Sequence, residues 1–203
     1  MIVIGLTGSI GMGKSTTASL FAETGARVHD SDAAVHELYN GAGAAIIEAE
    51  FPGVTSGGKV DRRKLADLVL GDPAALGRLE KIVHPHVGKA RADFVAESRR
   101  EGCRMVVLDI PLLFEIGGGS EVDVIVVASA PADVQRARVL ARPGMTEEKF
   151  ETIVQKQTPD PEKRGRAHFV VETHRGIEFA RRRVESIVRC LGNFQIEEFG
   201  ESR

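Results

Sequence analysis

Residues 8 to 15 of the chain read G-S-I-G-M-G-K-S, which matches the spacing of a phosphate-binding loop. The glycines allow positive φ angles and leave no Cβ in the way, so that successive backbone N–H groups can surround an anion. In such a loop Lys14 reaches the β- and γ-phosphates, and the Ser15 hydroxyl binds Mg²⁺. The motif therefore predicts a nucleoside triphosphate and Mg²⁺ as ligands.

The segments on either side of the loop have the character that the motif requires. Ile2 to Leu6 form a short apolar run typical of a buried strand, and a helical pattern runs from Lys14 to Gly25. A strand, a glycine-rich loop and a helix in this order place the phosphates at a helix N-terminus. The glycine spacing does not fit the G-x-G-x-x-G pattern of a dinucleotide site.

Two aspartates follow the second strand candidate. Ligands of open α/β sheets bind beyond the carboxyl ends of the strands, so we expect Asp32 to face the phosphate loop and accept the proton of an attacking hydroxyl. One or both aspartates could instead cap the next helix. Asp30 is the better candidate for a cap, and position alone does not decide between a base and a cap for Asp32.

Further charged residues fall where a phosphoryl-transfer site would use them. Asp109 ends the apolar run from Met105 and could hold Mg²⁺ through water, although many buried strands also end in Asp. Arg138 and Arg142 are spaced i, i+4, as for arginines that neutralise a transferring phosphoryl group or for a solvated basic face. Arg136 is offset by two residues and should point elsewhere.

Two other segments have both a functional and a purely structural interpretation. The apolar cluster from Pro111 to Glu115 could line a substrate pocket through Leu112, or could be core. The His84-Pro85-His86 triplet lacks the further ligands of a zinc site, so either His84 contacts a substrate or Pro85 marks a helix boundary.

Composition and charge exclude several classes of protein. The chain has 203 residues, 42% of them apolar, and a net charge of -2, so no basic field favours nucleic acid or an anionic membrane. Cys103 and Cys190 suit a reducing compartment, and no apolar run approaches a membrane span. A core-type strand at the start leaves no room for a signal peptide, so we expect a cytoplasmic protein without membrane contact.

Strand and helix patterns alternate along the chain, which predicts an α/β fold with a mostly parallel five-stranded sheet between helices. The strand candidates are residues 2–6, 26–29, 105–110, 122–128 and 169–171. About seventy mostly helical residues separate the second and third candidates, far more than a crossover needs, and should form an insertion for an acceptor substrate. Helices predicted over 131–141 and 147–157, the second capped by Thr146, should form another insertion. The last predicted helix, 177–191, should pack on the core through Ile177, Val184, Ile187, Val188 and Leu191.

Several segments together resemble the dephospho-CoA kinase family. They are residues 6–16, 30–32, 79–85, 111–115, 135–142 and 157–166, which follow the family's order and span about 160 residues. The phosphate loop is common to many kinases, whereas the His-Pro and Pro-Leu-Leu-Phe-Glu segments are much more specific. Pro143, next to Arg142, and the segment E-T-H-R-G at 172–176, where the family would contact adenine, depart from the family pattern.

The resemblance implies a P-loop kinase core, a helical acceptor insertion and a small helical lid. Residues 1–32, 104–130 and 167–192 would form the core, 33–103 the insertion that binds CoA, 131–166 the lid and 193–203 a tail. It implies ATP and Mg²⁺ as cofactors and dephospho-CoA as acceptor, and we expect a monomer. The residues that it implicates are Gly8, Gly11, Met12, Gly13, Lys14, Ser15 and Thr16 for ATP, Asp32 as base, Arg138 and Arg142 on the lid side, and His84 and Leu112 near the acceptor.

Other functions remain to be compared with this one. Another small-metabolite or nucleoside kinase could share the core, and residues 33–103 would discriminate because they should build the acceptor pocket. A regulatory GTPase would need an Asn/Thr-Lys-x-Asp and an Asp-x-x-Gly motif, and the chain contains neither. A noncatalytic nucleotide-binding module is disfavoured by Lys14 and Ser15 together with Asp32.

Overall fold

The structure is a computed structural model that describes residues 1–69 and 71–192. The chain divides into two compact units, one made of Met1–His29 and the chain from Ser98 onward, the other of Asp30–Glu97. Helix α5 and strand β2 cross the boundaries between these units. The predicted tail, 193–203, lies outside the described residues.

A five-stranded sheet, in the order β2-β5-β1-β6-β7, confirms the predicted α/β core. Its strands are β1 (Ile2–Thr7), β2 (Arg27–Asp30), β5 (Met105–Asp109), β6 (Val124–Ser129) and β7 (Phe169–Glu172). The pairs β1–β5, β1–β6 and β6–β7 are parallel. Parallel strands end at the same edge, so the phosphate loop after β1 and Asp109 at the end of β5 are neighbours across the register Leu6–Asp109.

The helices of the first unit are α1 (Lys14–Glu23), α6 (Ala132–Leu140), α7 (Glu147–Gln155), α8 (Asp160–Gly165) and α9 (Ile177–Gly192). The Thr146 hydroxyl accepts a hydrogen bond from the N–H of Lys149, which confirms the predicted cap of α7. The short helix α8 is absent from the prediction. The prediction also began β6 two residues early, because Asp123 instead binds the N–H of Val3 through its carboxylate at 2.7 Å.

Apolar side chains of the sheet, α1 and α9 form the core of the first unit. From α9 it receives Ala180, Val184, Ile187 and Leu191 as buried residues, with Val188 partly buried against them. The prediction that Ile177 belongs to this core is wrong, because Ile177, the first residue of α9, is 48% exposed. The buried face of α9 therefore consists of residues after its first turn, which recur every three or four positions as in an amphipathic helix.

The second unit is mostly helical, as predicted, but also contains a hairpin that the prediction missed. Its elements are α2 (Ser31–Asn40), α3 (Gly43–Glu50), β3 (Thr55–Ser56), β4 (Lys59–Val60), α4 (Arg62–Val69) and most of α5 (Pro73–Arg100). Gly57 and Gly58 have φ angles of 58° and 76°, the left-handed geometry of a two-residue hairpin turn. A core of its own, centred on Ile47, Val54 and Leu65, holds this unit together.

Helix α5 continues through Pro85, so the alternative of a helix boundary at this residue is wrong. Proline removes one backbone hydrogen bond and costs about 3 kcal/mol in a helix interior. Leu79 and Val87, eight residues apart on one side of the helix, are buried on either side of the proline. Their packing outweighs the local penalty. The Nδ1 of His86 also lies 2.7 Å from the carbonyl oxygen of Ile82.

Candidate active site

The phosphate loop connects β1 directly to α1, as the sequence predicts. Gly11 and Gly13 have φ angles of 77° and 87°, which residues with a side chain rarely adopt. A Cβ on Gly11 would also lie 2.5 Å from a methyl carbon of Val139, and one on Gly13 would lie 2.8 Å from the hydroxyl of Thr173. Both glycines are therefore required by backbone conformation and by close packing.

The first turn of α1 is arranged as an anion site. Its N-cap is Gly13, so no side chain caps the first N–H groups, and the turn contains no acidic residue. The N-terminal end of a helix carries a partial positive charge, which favours phosphate. Ser15 and Thr16 are exposed in this turn and carry hydroxyl groups.

Lys14 contacts Asp109 across the end of the sheet. The Nζ of Lys14 lies 2.5 Å from Oδ1 of Asp109, and the two side chains are 15% and 7% exposed. The parallel pairing of β1 with β5 brings these residues together although 95 positions separate them. A lysine ammonium has three N–H groups, so a bond to Asp109 leaves donors for another anion.

Side chains from outside the motif hold three successive carbonyl groups of the loop. The Nε2 of Gln135 donates to the oxygen of Ile10 at 2.8 Å, and Arg138 donates to that of Gly11 at 3.4 Å. The hydroxyl of Thr173 donates to the oxygen of Met12 at 2.8 Å. The sequence did not indicate these contacts.

A fourth side chain holds a backbone N–H of the same loop. The Oε1 of Gln157 accepts a hydrogen bond from the N–H of Ile10 at 3.0 Å. Gln135 and Gln157 belong to segments that carry the resemblance to the family, but they lie 125 and 147 residues from Ile10. No spacing rule connects such distant positions.

The three arginines near α6 have different environments. Arg138 is half-buried, and its guanidinium donates to the hydroxyl and the carbonyl of Thr173, both at 2.8 Å. Helix α6 ends at Leu140, so Arg142 lies in the following turn. The expectation that Arg138 and Arg142 share one helix face is therefore wrong. Arg142 is exposed. Arg136 pairs with Glu147, in agreement with its expected different direction.

The segment after β5 is divided between surface and core. Leu113 and Phe114 are buried, whereas Leu112 is 42% exposed. Glu115 turns back into the protein, where it accepts the N–H of Thr158 at 2.8 Å and lies 3.0 Å from the fully buried ammonium of Lys163. Burial alone would raise the pKa of Glu115, but these hydrogen bonds and the charge of Lys163 outweigh it and lower that pKa.

The predicted site residues of the second unit lie on helices. Asp30 is the N-cap of α2 and accepts the N–H groups of Asp32 and Ala33 at 2.8 and 3.1 Å. Its predicted role as a cap is confirmed. Asp32 is exposed in the first turn of α2, and His84 is exposed on α5 next to Pro85. The carboxylate of Asp32 is therefore not required for the cap.

Within residues 1–69 and 71–192, no group of three or more His, Cys, Asp or Glu side chains could hold a metal ion by itself. The oxygens of Ser15 and Asp109 are nevertheless the hard ligands that Mg²⁺ prefers. Mg²⁺ at nucleotide sites typically takes only one or two protein ligands and completes its shell with phosphates and water. The residues present therefore fit such an ion bound together with a nucleotide.

Comparison with known proteins identifies the family. Residues 2–178 match the family model for dephospho-CoA kinase. A dephospho-CoA kinase of Mesorhizobium japonicum is 60% identical over 189 residues, which cover 93% of this chain and 95% of that protein. One of Agrobacterium fabrum is 55% identical over 192 residues, covering 95% and 99% of the two chains.

Solved structures agree with this assignment at the level of the fold. A crystal structure from Thermus thermophilus superposes with a TM-score of 0.81 at 37% identity and covers 93% of this chain and 96% of its own. A dephospho-CoA kinase from Campylobacter jejuni, 19% identical, gives a TM-score of 0.66 with coverages of 93% and 96%. The chain belongs to the dephospho-CoA kinase family.

Proposed function

We propose that this chain transfers the γ-phosphoryl group of ATP to the 3′-hydroxyl of the ribose of dephospho-CoA, which gives coenzyme A and ADP. The observation that carries the proposal is the phosphate loop at the N-terminus of α1, with Lys14 held at the edge of the sheet by Asp109. Membership of the family supplies the acceptor. In the reaction the 3′-oxygen forms a bond to the γ-phosphorus, and the bond from that phosphorus to the bridging oxygen of ADP breaks.

The residues of the loop and helix α1 bind the phosphates in this proposal. Gly8, Gly11, Met12, Gly13, Lys14, Ser15 and Thr16 surround the β- and γ-phosphates with N–H groups, the ammonium and hydroxyl groups. Lys14 keeps one donor on Asp109 and turns the others to phosphate oxygens. Ser15 would bind Mg²⁺ directly and Asp109 through water, and this ion would neutralise phosphate charge during transfer.

The other proposed roles concern the acceptor and the transferring phosphoryl group. Asp32 is the general base that takes the proton of the 3′-hydroxyl, which its exposed carboxylate is available to do. Arg138 and Arg142 neutralise the charge that spreads over the transferring group. His84 and Leu112 contact the acceptor, and both are exposed. On this proposal residues 33–103 form the acceptor insertion, 131–166 the lid, and the rest of residues 1–192 the core.

The test is ADP release by the purified full chain with MgATP and dephospho-CoA, adenosine, AMP or no acceptor. We expect ADP with dephospho-CoA far above the other three, a new 3′-phosphate on the product, and no turnover with Lys14→Ala or without Mg²⁺. Strong turnover with another acceptor would contradict the named substrate. ATP binding without ADP from any acceptor would contradict the kinase activity itself.

We propose further that the protein acts as a monomer in the cytoplasm, without nucleic acid or membrane as a partner. Both cysteines are free thiols, which agrees with a reducing compartment. No helix among the described residues is long and apolar enough to cross a membrane. Light scattering with and without ATP tests the monomer, and a stable dimer would contradict it.

A further inference from the structure

We infer that Thr173 is a positioning residue, which orients the N–H groups of the phosphate loop before ATP binds. Its single hydroxyl group does this by contacting both the carbonyl group of Met12 and the guanidinium of Arg138. This inference rests on the proposed function, since it concerns how the same loop receives ATP. The residue lies outside the loop motif, directly after β7. It also stands in the segment that departs from the family pattern.

The sheet fixes the position of Thr173 before its side chain is considered. The N–H of Thr173 donates to the carbonyl oxygen of Ser129 at 2.9 Å, which extends the parallel pairing of β6 with β7 by one residue. Ser129 is fully buried, so this anchor lies in the interior. The hydroxyl therefore reaches the phosphate loop from a rigid base.

The hydroxyl group of Thr173 makes two short contacts of opposite polarity, and it also lies 3.4 Å from the carbonyl oxygen of Ser129. The Oγ1 of Thr173 donates to the oxygen of Met12 at 2.8 Å and accepts from Nη1 of Arg138 at 2.8 Å. Nη2 of Arg138 donates to the carbonyl oxygen of Thr173 at 2.8 Å. Arg138 is consequently held by two bonds to a single residue, and its orientation depends on that residue.

Because the peptide bond is planar, these contacts also fix the direction of N–H groups in the phosphate loop. In a trans peptide the C=O and the following N–H point in opposite directions, and the described chain contains no cis peptide bond. The bond from Thr173 to the Met12 carbonyl therefore fixes the opposite direction for the N–H of Gly13. In the same way, the bond from Gln135 to the Ile10 carbonyl fixes the N–H of Gly11.

An anion site needs its N–H groups oriented before the anion arrives, because reorganisation costs binding energy. Glycine is the most flexible residue, so a loop with glycines at 8, 11 and 13 cannot hold this orientation by itself. External bonds to its carbonyl groups supply the missing restraint. Loss of the Thr173 hydroxyl should therefore weaken ATP binding while leaving the acceptor site intact.

The experiment compares Thr173→Val with Thr173→Ser in the full chain. Valine keeps the branched shape that packs against Gly13 but removes the hydroxyl, whereas serine keeps the hydroxyl. For Thr173→Val we expect kcat/KM for ATP to fall about 10- to 100-fold. This is the effect expected from losing one hydrogen bond to the charged Arg138 and one to the carbonyl of Met12. The Kd for ATP should rise in parallel, and the KM for dephospho-CoA should stay within about twofold.

The matched control is Thr24→Val, where the hydroxyl donates to the carbonyl of Phe21 at 2.6 Å at the C-terminal end of α1, away from the phosphate loop. Thr24→Val should keep wild-type kinetics, and Thr173→Ser should return the ATP parameters to within about threefold of wild type, since its hydroxyl can make the same bonds. Equal losses for ATP and acceptor, or a failure of serine to rescue, would overturn the positioning role in favour of general disruption. Wild-type ATP parameters in Thr173→Val would overturn it outright.

A second variant guards against a Thr173→Val chain that does not fold. Gln157→Met removes the bond to the Ile10 N–H from another segment, and Thr24→Val again serves as the control. If external hydrogen bonds orient the loop, Gln157→Met should also lower kcat/KM for ATP without changing the KM for dephospho-CoA. Unchanged ATP parameters would overturn the inference. Failure of the proposed function is distinguishable, because the wild type would then bind ATP without phosphorylating dephospho-CoA.

Discussion

At the scale of single residues, the structure separates two aspartates that the sequence left with shared roles. Asp30 uses its carboxylate on the N–H groups of Asp32 and Ala33, which is the work of a helix cap. The carboxylate of Asp32 is exposed in the first turn of the same helix. This division gives a sharp test, since the two residues are only two positions apart and have the same charge.

For Asp32→Asn we expect kcat to fall by about 10²- to 10⁴-fold, the usual contribution of a general base, while the Kd for ATP stays close to that of the wild type. Asp30→Asn is the matched control, because asparagine caps a helix as well as aspartate does. Steady-state kinetics and ATP titration measure both. Wild-type kcat in Asp32→Asn would remove Asp32 from the role of base.

At the scale of elements, helix α8 and the segment before it are attached to the sheet through buried polar contacts. Lys163 is fully buried beside Glu115, and the N–H of Thr158 donates to the same carboxylate. Asp160 accepts the hydroxyl of Ser129 at 2.8 Å. Gln157 of the same segment holds Ile10, so the attachment of this element and the shape of the phosphate loop are linked.

Glu115→Gln should lower the free energy of unfolding by about 3–5 kcal/mol at pH 7, because it leaves the buried Lys163 without its counter-charge. The folded pKa of Glu115 is lowered, so its contribution is complete above the ordinary glutamate pKa of about 4.3 and disappears as the pH falls through the lower folded value. Urea unfolding at several pH values measures the difference between the two proteins.

That difference should therefore be largest near neutral pH and shrink in acid. Glu151→Gln on exposed α7 is the control, and it should change stability by less than about 0.5 kcal/mol. A Glu115→Gln difference that does not depend on pH would show that the carboxylate charge is not the source of the stabilisation.

At the scale of the whole molecule, each of the two units has its own hydrophobic cluster. The cluster of the first unit joins the sheet to α1 and α9, the helices packed on it. Ile187 of α9 is 1% exposed in that cluster, whereas Ile177 at the start of the same helix is 48% exposed. The two isoleucines therefore measure how far the core extends along α9.

Ile187→Ala should reduce the free energy of unfolding by about 2–5 kcal/mol through lost burial and the cavity left behind. Ile177→Ala should change it by less than about 0.5 kcal/mol, since an exposed side chain loses little on truncation. Thermal or urea unfolding followed by circular dichroism compares the two. Similar losses for both variants would contradict the core boundary described for α9.

Local residue patterns were sufficient for much of this protein. Gly11, Gly13, Lys14 and Ser15 predicted the loop between β1 and α1 because the motif prescribes its own backbone conformation. Short apolar runs separated by helical patterns predicted the parallel sheet, since buried parallel strands are apolar on both faces. These features depend on neighbours in sequence, so the sequence by itself determined them.

Contacts between distant residues required the tertiary structure. The uninterrupted course of α5 through Pro85 follows from packing on both sides of the proline, which outweighs its local preference. The pairing of Lys14 with Asp109 and the hold of Gln135, Gln157 and Thr173 on the phosphate loop join residues about 95 to 161 positions apart. Side-chain hydrogen bonds have no periodic signature, so only the register and packing of the folded chain decide which polar groups meet.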